Sequence, residues 1–117
     1  MSYDYKIFRI DGQAPSSIEE LLESTQPFDS FESSKSLLSR NYPEIVWNDE
    51  ACRGTLENDI GRFEFQCDAE LLAFGIISLS TSFRQDVFAT HQFLQALCHA
   101  EGFAIVDEQT QEIIGAA

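Results

Sequence analysis

Basic residues are what this chain has least of. Seven Lys and Arg stand against twenty Asp and Glu, a formal charge of −13 over 117 residues. Phosphate backbones and anionic bilayers would be repelled by such a surface, so no direct contact with nucleic acid or membrane is expected. A basic protein would be attracted, and its encounter accelerated. Cysteine is also sparse. Cys52, Cys67 and Cys98 are odd in number and widely spread, unlike a disulfide framework or a paired-cysteine zinc motif, and they read as reduced, mostly core residues. No stretch approaches the ~20 apolar residues that cross a bilayer. The opening Met1-Ser2-Tyr3-Asp4-Tyr5-Lys6 has no basic segment leading into an apolar one, so no secretion signal is read there and a cytoplasmic location is expected.

The signatures of catalysis are missing as well. Six glycines are scattered singly, which leaves no phosphate cradle, and neither a His-Glu-x-x-His nor a serine elbow occurs. His91 and His99 share one expected helix but lie about 80° apart in azimuth and more than two turns apart along the axis. They cannot readily share a metal, and Cys98 points about 100° away from His99. No metal or cofactor is expected, and both histidines read as surface or boundary residues. Cys67 shares a strand face with Phe63 and Phe65, so a buried structural thiol is the expectation over a nucleophile. With twenty acids, some carboxylate pair always falls close, and pairing alone gives no sign of acid–base chemistry.

What is present suffices for one core. Hydrophobic residues make up 44% of the chain and ten are Phe, and a chain of this length buries roughly two-thirds of its unfolded surface without staples. A single acidic domain over 1–117 is expected. Tyr3 to Asp11 reads as a strand closed at Asp11-Gly12. Ser16 with Glu19, or Ser17 with Glu20, has capping-box spacing for a helix whose buried stripe is Ile18, Leu21 and Leu22. Phe31 to Arg40 reads as a second short helix ended before Pro43. Short strands are expected at Ile45-Val46-Trp47 and Arg53 to Glu57 around an Asn48-Asp49-Glu50 turn. From Arg62 to Asp68, Phe63, Phe65 and Cys67 alternate with polar residues, the pattern of a half-buried antiparallel strand.

Leu71 to Ser80 reads as one central strand. A long helix over 83–101 opens on the capping-box pair Ser82 and Gln85 and ends at Gly102. Ala89, Phe93, Leu94, Ala96, Leu97 and Ala100 form its broad apolar side, with Gln92, Gln95 and His99 opposite. Phe103 to Val106 and Glu112 to Ile114 flank a polar Asp107–Gln111 turn as a closing hairpin. The fold class is therefore α+β, an antiparallel sheet with one or two N-terminal helices and a long C-terminal-half helix packed on it.

Five acids, Glu57, Asp59, Glu64, Asp68 and Glu70, crowd into fourteen residues beside the lone Arg62. Glu64 and Asp68 are expected on one exposed strand face, giving a carboxylate ledge joined by Asp49 and Glu50. The alternative is an ordinary solvated sheet face. Phe88, among Gln92, Gln95 and His99 on its helix, is expected to be covered by another element, with an exposed anchor as the alternative. Trp47 beside Asn48-Asp49-Glu50 suits either a core or the centre of an acidic-rimmed interface.

The stretch from Trp47 to Ile114 resembles small bacterial immunity proteins that neutralise toxins used in competition between cells. The strand Gly61-Arg62-Phe63-Glu64-Phe65, the helix end Leu97-Cys98-His99-Ala100-Glu101-Gly102 and the tail from Phe103 to Ile114 carry the likeness. Phe103 and Gln111 stand where such proteins often have Trp and Gly. The resemblance implies stoichiometric binding of a cognate toxin, often over its active site, without catalysis; it transfers no specific binding residues. Neutralisation of a basic toxin is thus the leading expectation. The alternatives are a mimic of nucleic-acid charge that occupies DNA-binding proteins, and a small carboxylate-dependent enzyme. A homodimer is compatible with the composition.

Overall fold

The computed structural model describes residues 2–82 and 84–115. Residue 83, the first position of the expected long helix, lies outside the described residues, as do residues 1, 116 and 117. Strand β1 (Ser2–Arg9) sends Tyr5 and Ile7 into the core. Helix α1 (Ile18–Glu23) starts at Ser17, whose hydroxyl accepts from the Glu20 amide at 3.2 Å, the N-cap bond expected of serine. Helix α2 (Phe31–Asn41) is capped in the same way by Ser30, which lets a serine-rich segment hold as a helix. Strands β2 (Val46–Asn48), β3 (Arg53–Glu57) and β4 (Arg62–Gln66) follow as a meander.

The segment expected as one strand from Leu71 to Ser80 is two elements. Ala69–Ala73 is a short helix, α3, and only Ile76–Ser82 is strand, β5. The break is Gly75, at φ +79° with its α-carbon side against the Gln26 carbonyl, a conformation and an approach that a side chain would not permit. Helix α4 (Val87–Glu101) begins later than the capping-box spacing suggested. Asp86 is its N-cap, accepting from the Ala89 amide at 3.0 Å, while Ser82 stays in β5. Gly102 closes it at φ +71°, the left-handed cap that favours glycine. The chain ends in the hairpin of β6 (Phe103–Asp107) and β7 (Glu112–Gly115).

All pairings are antiparallel, in the order β2-β3-β4-β5-β1-β6-β7. One sheet face carries Ile7, Phe63, Phe65, Leu79 and Ile105, which pack with Leu38 of α2 and Leu94, Leu97 and Cys98 of α4. The buried stripe of α4 therefore runs through Thr90 and Cys98, whereas Ala96 and Ala100, expected inside, are exposed. Alanine is too small for its presence to report which side is covered. The opposite sheet face is divided. Over β1 and β6, Leu21 of α1 packs on Phe8, Ala104 and Val106, while Leu22, expected in the buried stripe, is exposed.

Candidate protein-binding surface

Over β2 to β5 the second sheet face has no helix across it among the described residues, and its side chains are exposed or half-buried. Cross-strand register arranges them in rows: Val46, Thr55, Glu64, Ser80 and Asp4 in one, and Arg53, Gln66, Ser78 and Lys6 in the next. Arg62 donates to Glu64 at 2.8 Å, Arg53 to Gln66 at 3.1 Å, and Ser2 and Ser80 to Asp4 at 2.8 and 3.0 Å. The surface is polar and internally tied, and its charges are mixed.

The expected ledge is not one ledge. Strand β4 ends at Gln66, so Asp68 does not share its face with Glu64; it stands at the N-cap of α3 and accepts from Gln66 Nε2 at 2.9 Å. Glu70 follows in the first turn of α3. Asp49 and Glu50 sit in the β2–β3 turn at that same end, where Asp49 meets Lys35 at 2.8 Å and the Ala51 carbonyl accepts from Gln66 Nε2 at 2.7 Å. The bonded carboxylate holds the Lys35 ammonium above its ordinary value. Glu57 and Asp59 lie at the other end of the β3–β4 hairpin. With ~3.3 Å per residue along β4, the two groups of acids are too far apart to act together, and Glu64 stands half-buried between them.

Trp47 is engaged within the fold. It lies on the core side of β2 opposite Gly54, its ring edge-on to Phe31 at 5.8 Å and its Nε1 donating to Ser39 Oγ at 2.9 Å. Phe88 goes the other way. It projects from the outward side of α4 and is 72% exposed, so no element among the described residues covers it. Val46 and Phe74, which no sequence pattern singled out, are exposed to a similar degree at 73% and 69%.

A second constellation escaped the sequence reading. Asp107, expected in a turn, is fully buried as the last residue of β6. Its Oδ2 accepts from Tyr3 Oη at 2.7 Å and meets His91 Nε2 at 3.0 Å, and its Oδ1 accepts from the Gln109 amide, Gln109 Nε2 and the Thr110 amide at 3.0, 2.9 and 3.2 Å. Burial pushes this carboxyl up, but the bonds from Tyr3, Gln109 and Thr110 outweigh it and leave the group below its ordinary value. That direction is opposite to what a general acid requires. Burial and the Asp107 bond raise the Tyr3 phenol to about 12. His91 is half-buried, held also edge-on by Tyr5 at 5.7 Å, whereas His99 is exposed.

Cys67 and Cys98 are buried thiols raised to about 12, mainly by desolvation, and Cys52 is half-buried in the β2–β3 turn. Among the described residues, no three His, Cys, Asp or Glu side chains are grouped to hold a metal ion, and no helix is long and apolar enough to cross a membrane.

No family model, curated protein or solved structure matches this chain. Its own geometry therefore carries the functional reading. Chemistry-bearing groups at Asp107 and Cys67 are sealed by packing and hydrogen bonds, while most carboxylates face outward.

Proposed function

We propose that this chain is a cytoplasmic binding protein that neutralises a basic protein, a bacterial toxin, by forming a stoichiometric complex without catalysis. The observation that carries the reading is the division of its polar groups. The carboxylate held in a dense internal network, Asp107, has both oxygens bonded within the fold, whereas Glu44, Glu57 and Asp59 are exposed and enter no ion pair among the described residues. Added to a net charge of −13, such groups steer a cationic protein to the surface and favour it over neutral or anionic competitors. The resemblance read in residues 47–114 to immunity proteins supports a toxin as the class of partner.

The test is a binding and protection experiment with the product of a toxin-like gene adjacent to this one. Expected are a one-to-one complex whose association slows as salt rises and survival of cells that express both proteins. A toxin that kills co-expressing cells and forms no salt-sensitive complex removes the proposal.

A further inference from the structure

We infer that Cys52 and Cys67 form a reversible redox site, in which a small hydroperoxide converts the two thiols into an intrachain disulfide at the β2–β3-turn end of the sheet. All three cysteines are free thiols, and the backbone brings these two together. The Cys67 amide donates to the Cys52 carbonyl at 2.9 Å, which carries the β3–β4 ladder one pair beyond Arg53 and Gln66. Opposed residues joined in this way have α-carbons about 5.5 Å apart, inside the range of about 4.4–6.8 Å that a disulfide spans. Alternation along the two strands sends both side chains toward the side of Gly54 and Phe65. The Cys52 thiol is near enough to add to the burial that raises Cys67.

Neighbouring side chains hold the approach in place. Gln66 Nε2 donates to the carbonyls of Ala51 at 2.7 Å and Cys52 at 3.4 Å and to Asp68 Oδ1 at 2.9 Å, while Gln66 Oε1 accepts from Arg53 Nε at 3.1 Å. The turn and the end of β4 are thereby stitched together beside the cysteine pair. Opposed β-carbons in a ladder stand about 4.5–5.5 Å apart, so closing the bridge draws them together by about 1 Å. Asn48, Asp49 and Glu50 of the turn are exposed and free to give that movement. Cys98, on α4, donates its thiol to the Ile114 carbonyl at 3.6 Å instead.

Exposure sets the order of events. Cys52 is half-buried and Cys67 fully buried, so the oxidant meets Cys52 first. The Cys52 thiolate attacks the hydroperoxide: an S–O bond forms, the O–O bond breaks, and the departing alkoxide takes up the proton that Cys52 released. The Cys67 sulfur then attacks the sulfenic sulfur of Cys52. An S–S bond forms, the S–O bond breaks, and hydroxide leaves with the Cys67 proton as water. The two thiols lose two electrons, and the hydroperoxide is reduced to one alcohol and one water. Burial keeps Cys67 protonated at neutral pH, so the second attack sets the pace. The bridge closes residues 53–66 into a loop, which constrains the unfolded chain and makes the oxidised form the harder one to unfold.

The test treats the reduced full-length protein, in native buffer, with a small excess of hydrogen peroxide, and reads free thiols and non-reducing peptide maps. Free thiols should fall from three to one, Cys98, with the Cys52 and Cys67 peptides joined, and dithiothreitol should restore all three. An unchanged far-ultraviolet circular dichroism spectrum shows that the bond closes in the folded protein. In Cys52→Ser, a change at a half-buried turn position, Cys67 and Cys98 should both stay free under the same treatment. The site is overturned by Cys52 recovered unreacted, as a sulfinic acid or joined to a second copy, by Cys67 joined to Cys98, or by a Cys52–Cys67 bond that forms only in urea.

Discussion

Replacing Asp107 with Ala removes a fully buried carboxylate that holds together the ends of three elements. Tyr3 brings in β1, His91 brings in α4, and Gln109 with Thr110 closes the β6–β7 turn. Gln109 and Thr110 are exposed and can turn to water, so their loss is small. Tyr3 and His91 are half-buried and are left against an apolar gap. Each stranded partner of a charged group costs about 1–3 kcal/mol, so the expected loss for Asp107→Ala is about 3–4 kcal/mol. For a domain of this size the thermal midpoint should fall by roughly 12–16 °C.

Asp107→Asn keeps one acceptor oxygen for the turn amides and puts an amide group toward Tyr3 and His91, which can both reorient to accept. About 1–1.5 kcal/mol should be lost there, the charge assistance alone. Urea unfolding followed through Trp47, the single Trp, reads both variants, because that ring is packed on Phe31. The sign with pH follows from the lowered carboxyl. Its contribution is fully present above the ordinary value of 3.8 and is lost as pH falls through the lower folded value. The stability of the parent protein should therefore decline more steeply below that value than that of Asp107→Asn. A loss under about 1 kcal/mol in Asp107→Ala, or equal losses in the two variants, would refute the reasoning.

Two further outcomes are expected. Gly75→Ala should destabilise by several kcal/mol because the new Cβ meets the Gln26 carbonyl, while Gly102→Ala, with nothing within 4 Å, should cost only the about 1 kcal/mol of left-handed strain; paired thermal melts compare them, and equal midpoints contradict the account of Gly75. A thiol reagent should modify one cysteine, Cys52, in the native protein and all three in urea, since Cys67 and Cys98 are buried; rapid native labelling at either buried position would show that the core opens.

Local rules carried much of the fold. Phe63, Phe65 and Cys67 alternate into the core as their spacing requires, and Ser17 and Gly102 cap helices as their chemistry predicts. Where the reading failed, the deciding contact was distant in the chain. Leu71 to Ser80 is apolar enough for either helix or strand, and only the approach of Gln26 to Gly75 divides it. The supposed ledge was drawn by extending β4 to Asp68, but Asp68 lies past the end of the strand, at the N-cap of α3. Asp107 and His91 carried no local sign of their bond, which requires α4 to lie along β6. Phe88 was expected to be covered because large aromatics usually are, and nothing near it in sequence told otherwise.

The central position of β1 bears on how the chain reaches this structure. Lys6 pairs with Ser78 on one side and Val106 on the other, so β1 must wait for both β5 and β6, far along the chain, before both its edges are filled. Such distant pairings make folding slow relative to helical proteins of similar size. Until then β1 presents two open edges, rich in Tyr, Ile and Phe, of the kind that other chains can pair with. The heavy negative charge, proposed above to draw a basic partner, also keeps unfinished copies apart during that interval.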